Sequence, residues 1–461
     1  MANDSAAIET ARQPGGLVRG LGLKEATAAN VVEMVGIGPF ITIPFLISAM
    51  NGPQALLGWL VGAVLAVCDG LVWAELGAAM PGAGGSYLYL REAYNPKHMG
   101  QLMGFLFVWM ILFTAPLSAA TGGVGFAQYL HYFFPSMSQA ATIGVAIIVV
   151  IFVTAMVYRD IKTVGHLSFW LMIIVLSSIL WVIVSGVFKL KVSLLTDFPP
   201  NAFHLSWPFL LGLGQASLIA IYGYGGYNNV CYLGAEVKEP SRNIPRAVIL
   251  SIVVVAILYF FMTVSIIGVV PWQTAAVSQH VVSDFMQLIY GHWAAQVITV
   301  LILAAAFASL FALMLGMSRI PYAAAVDGQF FKVFARLHPK GHFPTVSTVT
   351  LGALAVFFCF FNLENIIQIL MVIQVIILFL AQILAVTLIR VNRKDIQRPF
   401  KMWLYPLPSI AAAILWLLVL VSTGWKQVSI GIAVLAVGVA LYMIWARQKR
   451  QWPFEAERSP A

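Results

Sequence analysis

The stretch Glu33-Met34-Val35-Gly36-Ile37-Gly38-Pro39-Phe40 lies inside an apolar run from 28 to 50 and interrupts it with two glycines and a proline. A run of that length matches the roughly 20 residues a helix needs to cross a bilayer. Glycine weakens a helix interior and proline removes a backbone donor, so the segment reads as a transmembrane helix with a break. A second apolar run, 209 to 234, carries a comparable interruption at Gly223-Tyr224-Gly225-Gly226. Lipid supplies no hydrogen bonds, so unwound backbone at membrane depth survives only when buried in protein or lining a wet cavity. One glycine cluster alone reads as close helix packing. Two clusters, at equivalent places in two five-span halves, read as a binding site. Half-helix amino termini there present N–H groups and a positive dipole end, while freed carbonyls accept from an ammonium or hold a cation. Together these match the two charges of an amino acid.

Composition agrees with a membrane setting. The chain has 461 residues, 61% hydrophobic and 9% charged, with a mean hydropathy of +0.91, whereas soluble domains carry about 25% charge. Working outward from the two breaks, apolar windows give twelve spans near 28–50, 54–80, 99–130, 139–157, 165–188, 209–234, 247–270, 296–320, 345–361, 364–389, 404–422 and 427–446. Cytoplasmic loops retain Lys and Arg and translocated ones lose them. With this threading, 23 of the 26 basic residues fall in the tails and alternate connections of one side, against Lys189, Lys191 and Lys426 on the other. The net charge of +9 is therefore topological and calls for no nucleic acid. Both termini are expected in the cytoplasm, with tails at 1–27 and 447–461. The first 27 residues lack the apolar run and small-residue cleavage site of a signal peptide.

The second span ends in Ala74-Glu75-Leu76-Gly77-Ala78-Ala79-Met80-Pro81-Gly82-Ala83-Gly84-Gly85-Ser86-Tyr87, and the sixth reads Tyr222-Gly223-Tyr224-Gly225-Gly226-Tyr227-Asn228-Asn229, followed by Glu236-Val237-Lys238-Glu239-Pro240 and Arg242-Asn243-Ile244-Pro245. On these motifs, over nearly its whole length, the chain resembles the amino acid–polyamine–organocation superfamily, most closely its L-type amino acid transporter branch. Ser318-Arg319 with Asp327-Gly328, and Arg398-Pro399-Phe400-Lys401, add to the likeness. The resemblance implies an all-α LeuT-type membrane fold of twelve helices. Its core, 28–390, would be two inverted five-helix repeats, 28–188 and 209–390, with two peripheral helices in 391–446. It also implies a midplane site, with Gly36 part of it, in which amides near Ile37 and Gly38 hold the substrate carboxylate and the carbonyls of Met34 and Tyr222 take its ammonium. Tyr222 occupies the aromatic gate position, and Gly223, Tyr224 and Gly225 complete the sixth-span break.

Several residues depart from that pattern. The usual Gly-Ser-Gly-Ile-Phe reads here Gly36-Ile37-Gly38-Pro39-Phe40, so one amide donor is lost just past the break. Glu33 is an intramembrane carboxylate, a functional candidate by default. It admits three readings: a partner for a cationic substrate side chain, a proton-coupling group, or an acid kept protonated against a buried neighbour. Asp69, in mid-span, reads either as a coupling or selectivity group or as a polar cross-link between helices. The eighth span offers only Ser309 as a hydroxyl in the register of Ala305 and Ala308, too few oxygens for a hard cation, so proton symport or exchange is favoured over sodium. The stretch from His166 to Val187 holds no lysine that would replace sodium. His131, His204, His280 and His292 fall in or near outer loops and receive no role.

Cys68, Cys231 and Cys359 lie within spans and form no CxxC, so neither a disulfide framework nor a thiolate metal site is expected, and no covalent partner subunit. Neither HExxH, GxSxG nor a P-loop is present, which leaves no basis for an enzyme or a cofactor. The functional expectation is a secondary active carrier of amino acids in the cytoplasmic membrane, contacting lipid and exchanging substrate or moving protons. Neutral amino acids are the leading substrate class, and cationic amino acids or polyamines held by Glu33 the alternative. An amino acid sensor without net transport is the rival of another class.

Overall fold

The computed structural model describes residues 19–82, 84–157, 164–339 and 343–454. Arg12, Arg159, Lys162, Lys340 and Arg458, five of the basic residues assigned to the inside, lie outside the described residues, as do much of the amino-terminal tail and the end of the carboxyl-terminal one. Among the described residues the regular elements are helices, and extended pairing is confined to isolated bridges of Leu21 with Val237 and Leu337 with Pro344.

The first apolar run forms two helices, α1 (Leu23–Met34) and α2 (Gly38–Met50), bent by 54° at the break. Pro39 falls at the amino-terminal end of α2. A helix start leaves its first amides without intrahelical acceptors, so proline costs α2 no internal hydrogen bond there. Then come α3 (Leu56–Ala79), α4 (Ser86–Ala93), α5 (Met99–Leu130), α6 (Gln139–Val157) and α7 (Val164–Lys189). The sixth run forms α8 (Trp207–Tyr224), whose Ser206 cap accepts from the Phe209 amide at 3.4 Å, and the short α9 (Asn229–Tyr232). The second half continues with α10 (Pro240–Ile267), α11 (Val281–Tyr290), α12 (His292–Met317), α13 (Arg319–Val326) and α14 (Thr345–Phe358). It ends with α15 (Leu363–Gln374) and α16 (Leu380–Asn392), joined through a π turn over Val375–Phe379, then α17 (Leu407–Thr423) and α18 (Trp425–Lys449).

Seven of these helical stretches are long and apolar enough to cross a membrane, eight when α1 and α2 count as one bent span. The chain is a multi-pass membrane protein. Large apolar side chains such as Ile148 and Phe152 on α6 and Val187 and Phe188 on α7 face outward, where lipid tails are the matching solvent.

The interior depends on small residues. Cβ atoms added at Gly58 and Gly62 of α3 would lie 2.7 Å from the Cβ atoms of Ala216 and Ala220 on α8, so these two backbones run in near contact. Likewise a Cβ at Gly214 of α8 would lie 2.6 Å from Ser422 Cβ on α17. Helix α17 packs one face on α8, where Trp416 is fully buried and Gln215 Nε2 of α8 donates to the Ser422 carbonyl at 2.9 Å, and turns Ile410, Ile414 and Val421 outward. The reason is local, since small residues on α8 admit α17 at short range.

Candidate functional site

The two breaks are tied together by one side chain. Asn30 of α1 donates through Nδ2 to the Tyr227 carbonyl at 2.6 Å and to Ser251 Oγ at 3.2 Å, and its Oδ1 accepts from the Val230 amide at 2.7 Å. It is fully buried, and these bonds satisfy backbone groups that the non-helical residues 225–228 leave without helical partners. The bridge of Leu21 to residues 236–238 adds a second tie, with Leu21 N donating to the Glu236 carbonyl at 3.0 Å.

Between the breaks lies a cavity of about 290 Å³, near the ~300 Å³ lower end of small-molecule pockets. Met34, Gly36, Ile37, Gly38, Tyr222 and Gly225 line it, together with Glu33 and Ser309. The amides of Gly36, Ile37 and Gly38 have no hydrogen-bond acceptor among the described residues. Three donors at the amino terminus of α2 thus face a space that can take an anionic group. The carbonyls expected to receive an ammonium are already engaged once: Met34 O accepts from the Tyr259 hydroxyl at 2.8 Å, and Tyr222 O from the Gly225 amide at 3.1 Å. Each retains a second lone pair.

Gly223 and Tyr224 do not line the cavity. Helix α8 runs on through Tyr224, so the break begins at Gly225 rather than at Gly223. Successive helical residues turn by about 100°, which points positions 223 and 224 away from the face of Tyr222. Gly223 meets Trp59 and Tyr259, while Tyr224 stacks on Tyr259 at 6.0 Å and donates its hydroxyl to the Trp59 carbonyl at 3.1 Å.

Glu33 is exposed to the cavity and has no hydrogen-bond or ion-pair partner among the described residues. Gly226 packs on its side chain: a Cβ there would lie 2.7 Å from Glu33 Cγ. Ser309 approaches the first break, its Cβ 3.4 Å from where a Gly36 side chain would begin, but its hydroxyl donates within α12 to the Ala306 carbonyl at 3.1 Å. Asp69 lies behind the cavity wall, buried, and accepts from Trp73, Tyr227 and Trp416. Cys231 and Cys359 are buried and Cys68 partly so, all three as free thiols. Of the outer histidines, His131 pairs with Thr142 Oγ1 at 2.7 Å and His280 with Asp284 at 2.9 Å, both away from the cavity.

Sequence reading missed Asn30, and also Thr114, Ser118 and Gly122, which line the cavity from α5. The spacing of four puts those three on one face of a helix. That small and polar stripe in an otherwise apolar span is a readable signal, as is a lone Asn in a broken one.

A profile described as amino acid permease matches residues 21–446. The chain is 30% identical over 446 residues to an uncharacterized transporter of Mycobacterium tuberculosis, covering 95% of this chain and 94% of that protein. It is 25% identical to a serine/threonine exchanger of Bacillus subtilis, over 95% and 99% of the two chains, and 25% identical to the human large neutral amino acids transporter small subunit 2, over 93% and 80%. These relatives are transporters, not enzymes. With its match running from 21 to 446, the chain belongs to the amino acid permease family, within the amino acid–polyamine–organocation superfamily.

Proposed function

We propose that the protein is a secondary carrier of neutral amino acids that works by alternating access in a cytoplasmic membrane with both termini inside. In this reading the chain crosses twelve times, and its core of two inverted five-span repeats has the LeuT-type arrangement. The observation that carries the reading is the cavity bounded by both helix breaks, with the free amides of Gly36, Ile37 and Gly38 at one edge and the carbonyls of Met34 and Tyr222 at another. A substrate carboxylate docks on the amides and its ammonium on the carbonyls. The side chain then meets Ile37, Ile111, Ala308 and Leu310, an apolar surface suited to neutral substrates.

Beyond the breaks the lining continues along Val32, Asn229, Tyr232 and Met317, toward the side that holds Arg319 and Lys238. Toward the other side α2 is closed on α5: the Tyr129 hydroxyl donates to the Phe40 carbonyl at 2.8 Å, and Gly125 packs on Ile37 and Ile41. This supports an inward-facing state. Transport follows when Tyr222 covers the substrate, the inner lining closes and the α2–α5 contact parts. Exchange and proton symport both fit this cycle, and no partner subunit is required by it.

One observation favours a second substrate class. A carboxylate without a partner, as Glu33 is, invites a cation, and a basic side chain or a polyamine would supply one. The deciding experiment is uptake of labelled alanine, leucine, arginine and putrescine into proteoliposomes by wild type and Glu33→Gln. Entry of alanine and leucine by both proteins is the expected result. Uptake of arginine or putrescine alone, lost in Glu33→Gln, would make Glu33 the cation subsite and overturn the neutral assignment.

A further inference from the structure

Asp69 sits in mid-α3, off the cavity yet bonded to its wall. Its carboxylate accepts from Trp73 Nε1 at 2.9 Å, from the Tyr227 hydroxyl at 2.6 Å and from Trp416 Nε1 of α17 at 3.2 Å. It makes no ion pair among the described residues. The groups around it are Cys68 on its own helix, Tyr227 on the broken segment, and Val248 and Ile252 of α10, which close over Gly70. On the α17 side stands Phe379, stacked on Trp416 at 4.4 Å. The charged groups toward the end of α3 and on α16, Glu75 and Arg390, are paired with each other. A buried acid with neutral donors alone is free to titrate without breaking a salt bridge.

The donors differ in kind. An indole N–H only donates, so Trp73 and Trp416 serve the ionised carboxylate and offer a protonated one no acceptor. The Tyr227 hydroxyl does both. When Asp69 takes a proton, the new O–H finds its acceptor in the Tyr227 oxygen, and the Tyr227 hydroxyl proton must swing off the carboxylate. Tyr227 lies in the non-helical residues 225–228, lines the cavity, and holds Asn30 of α1 through its carbonyl. The charge on Asp69 therefore sets which way the hydroxyl of a residue in the cavity-lining turn points.

We propose that Asp69 is a proton-binding site joined through Tyr227 to the cavity-lining turn 225–228, and that the proton it takes up drives transport. The proton comes from cavity water, and no other bond forms or breaks. This rests on the carrier reading and adds to it the coupling ion and its residue.

The test uses wild type, Asp69→Asn, Tyr227→Phe and Trp416→Phe in proteoliposomes with labelled alanine and leucine. Each protein gives two readouts: exchange without a gradient, and accumulation under an inward proton gradient. Wild type is expected to accumulate substrate. Asp69→Asn is expected to keep exchange within about twofold while accumulation falls about tenfold or more, inside the usual 5- to 150-fold range of coupling between sites. Tyr227→Phe lowers the ratio of accumulation to exchange, and Trp416→Phe, which removes only a donor, preserves it. Accumulation by Asp69→Asn at the wild-type ratio overturns the proposal. So does loss of exchange and accumulation in equal proportion in Asp69→Asn and Trp416→Phe, the mark of a structural cross-link. Where Asp69→Asn yields no folded protein, the ratio in Tyr227→Phe decides. Wild-type exchange that ignores the proton gradient removes the proton site and leaves the carrier; absence of any exchange removes both.

Discussion

Gly226 has a backbone φ of +111°, and a Cβ there would lie 2.7 Å from Glu33 Cγ and 2.9 Å from the Met34 amide. Only glycine meets both conditions, and so the second break can lie against the first. Gly226→Ala is expected to cost roughly 1–3 kcal/mol in backbone strain, besides pushing Glu33 aside. It should lower the thermal unfolding midpoint in detergent and reduce uptake further than the stability loss alone explains. Unchanged melting and uptake would show that the breaks tolerate separation. Glycines were the legible part of this site because their chemistry is local. Asn30 is legible as a lone polar residue in a broken span but its partners are not, since Tyr227, Val230 and Ser251 lie about 200 residues away in sequence. The role of Asp69 was legible only as a choice of two, for Trp416 reaches it from α17.

At the scale of elements, the end of α3 is fastened to α16 by a buried ion pair. Glu75 accepts from Arg390 Nε at 2.8 Å and Nη2 at 2.5 Å and from the Met402 amide at 2.8 Å, and Arg390 lies 3.7 Å over the Tyr405 ring. Glu75 thereby holds α3, α16 and the approach to α17 at one point. Removing one partner of such a pair costs about 3–5 kcal/mol, whereas replacing both by apolar groups is far milder. Glu75→Leu should therefore lower thermal stability sharply, and the double variant with Arg390→Met should recover much of the loss; additive losses in this cycle would contradict the pairing. On the opposite side, beyond the end of α5, burial and the nearby His280 hold the His131 imidazole below its ordinary value of 6.5. A depressed histidine favours the neutral form in the folded state, so the unfolded chain binds more protons and stability falls on acidification. Melting should therefore drop as the pH falls through about 6.5, and by less in His131→Gln. An identical drop in both proteins would place the effect elsewhere.

For the whole molecule, helix positions were readable because apolar windows and charge punctuation are properties of the chain itself. Each window contains helix, from the bent pair α1 and α2 to α18. Tertiary placement was less readable: the contact of α17 with α8 depends on Gly214 and Gln215, whose significance appears only once the helices are neighbours. The same seams have a mechanical consequence. Where Gly58 and Gly62 meet Ala216 and Ala220, and Gly214 meets Ser422, backbones interlock like teeth too short to slip past one another without lifting apart. Helices α3, α8 and α17 are thus fitted to one another backbone to backbone, with Trp73, Asp69 and Trp416 standing on two of the three. Of the three donors to Asp69, Tyr227 alone stands outside a helix, which makes the turn at 225–228 the hinge pin on which the proposed coupling hangs.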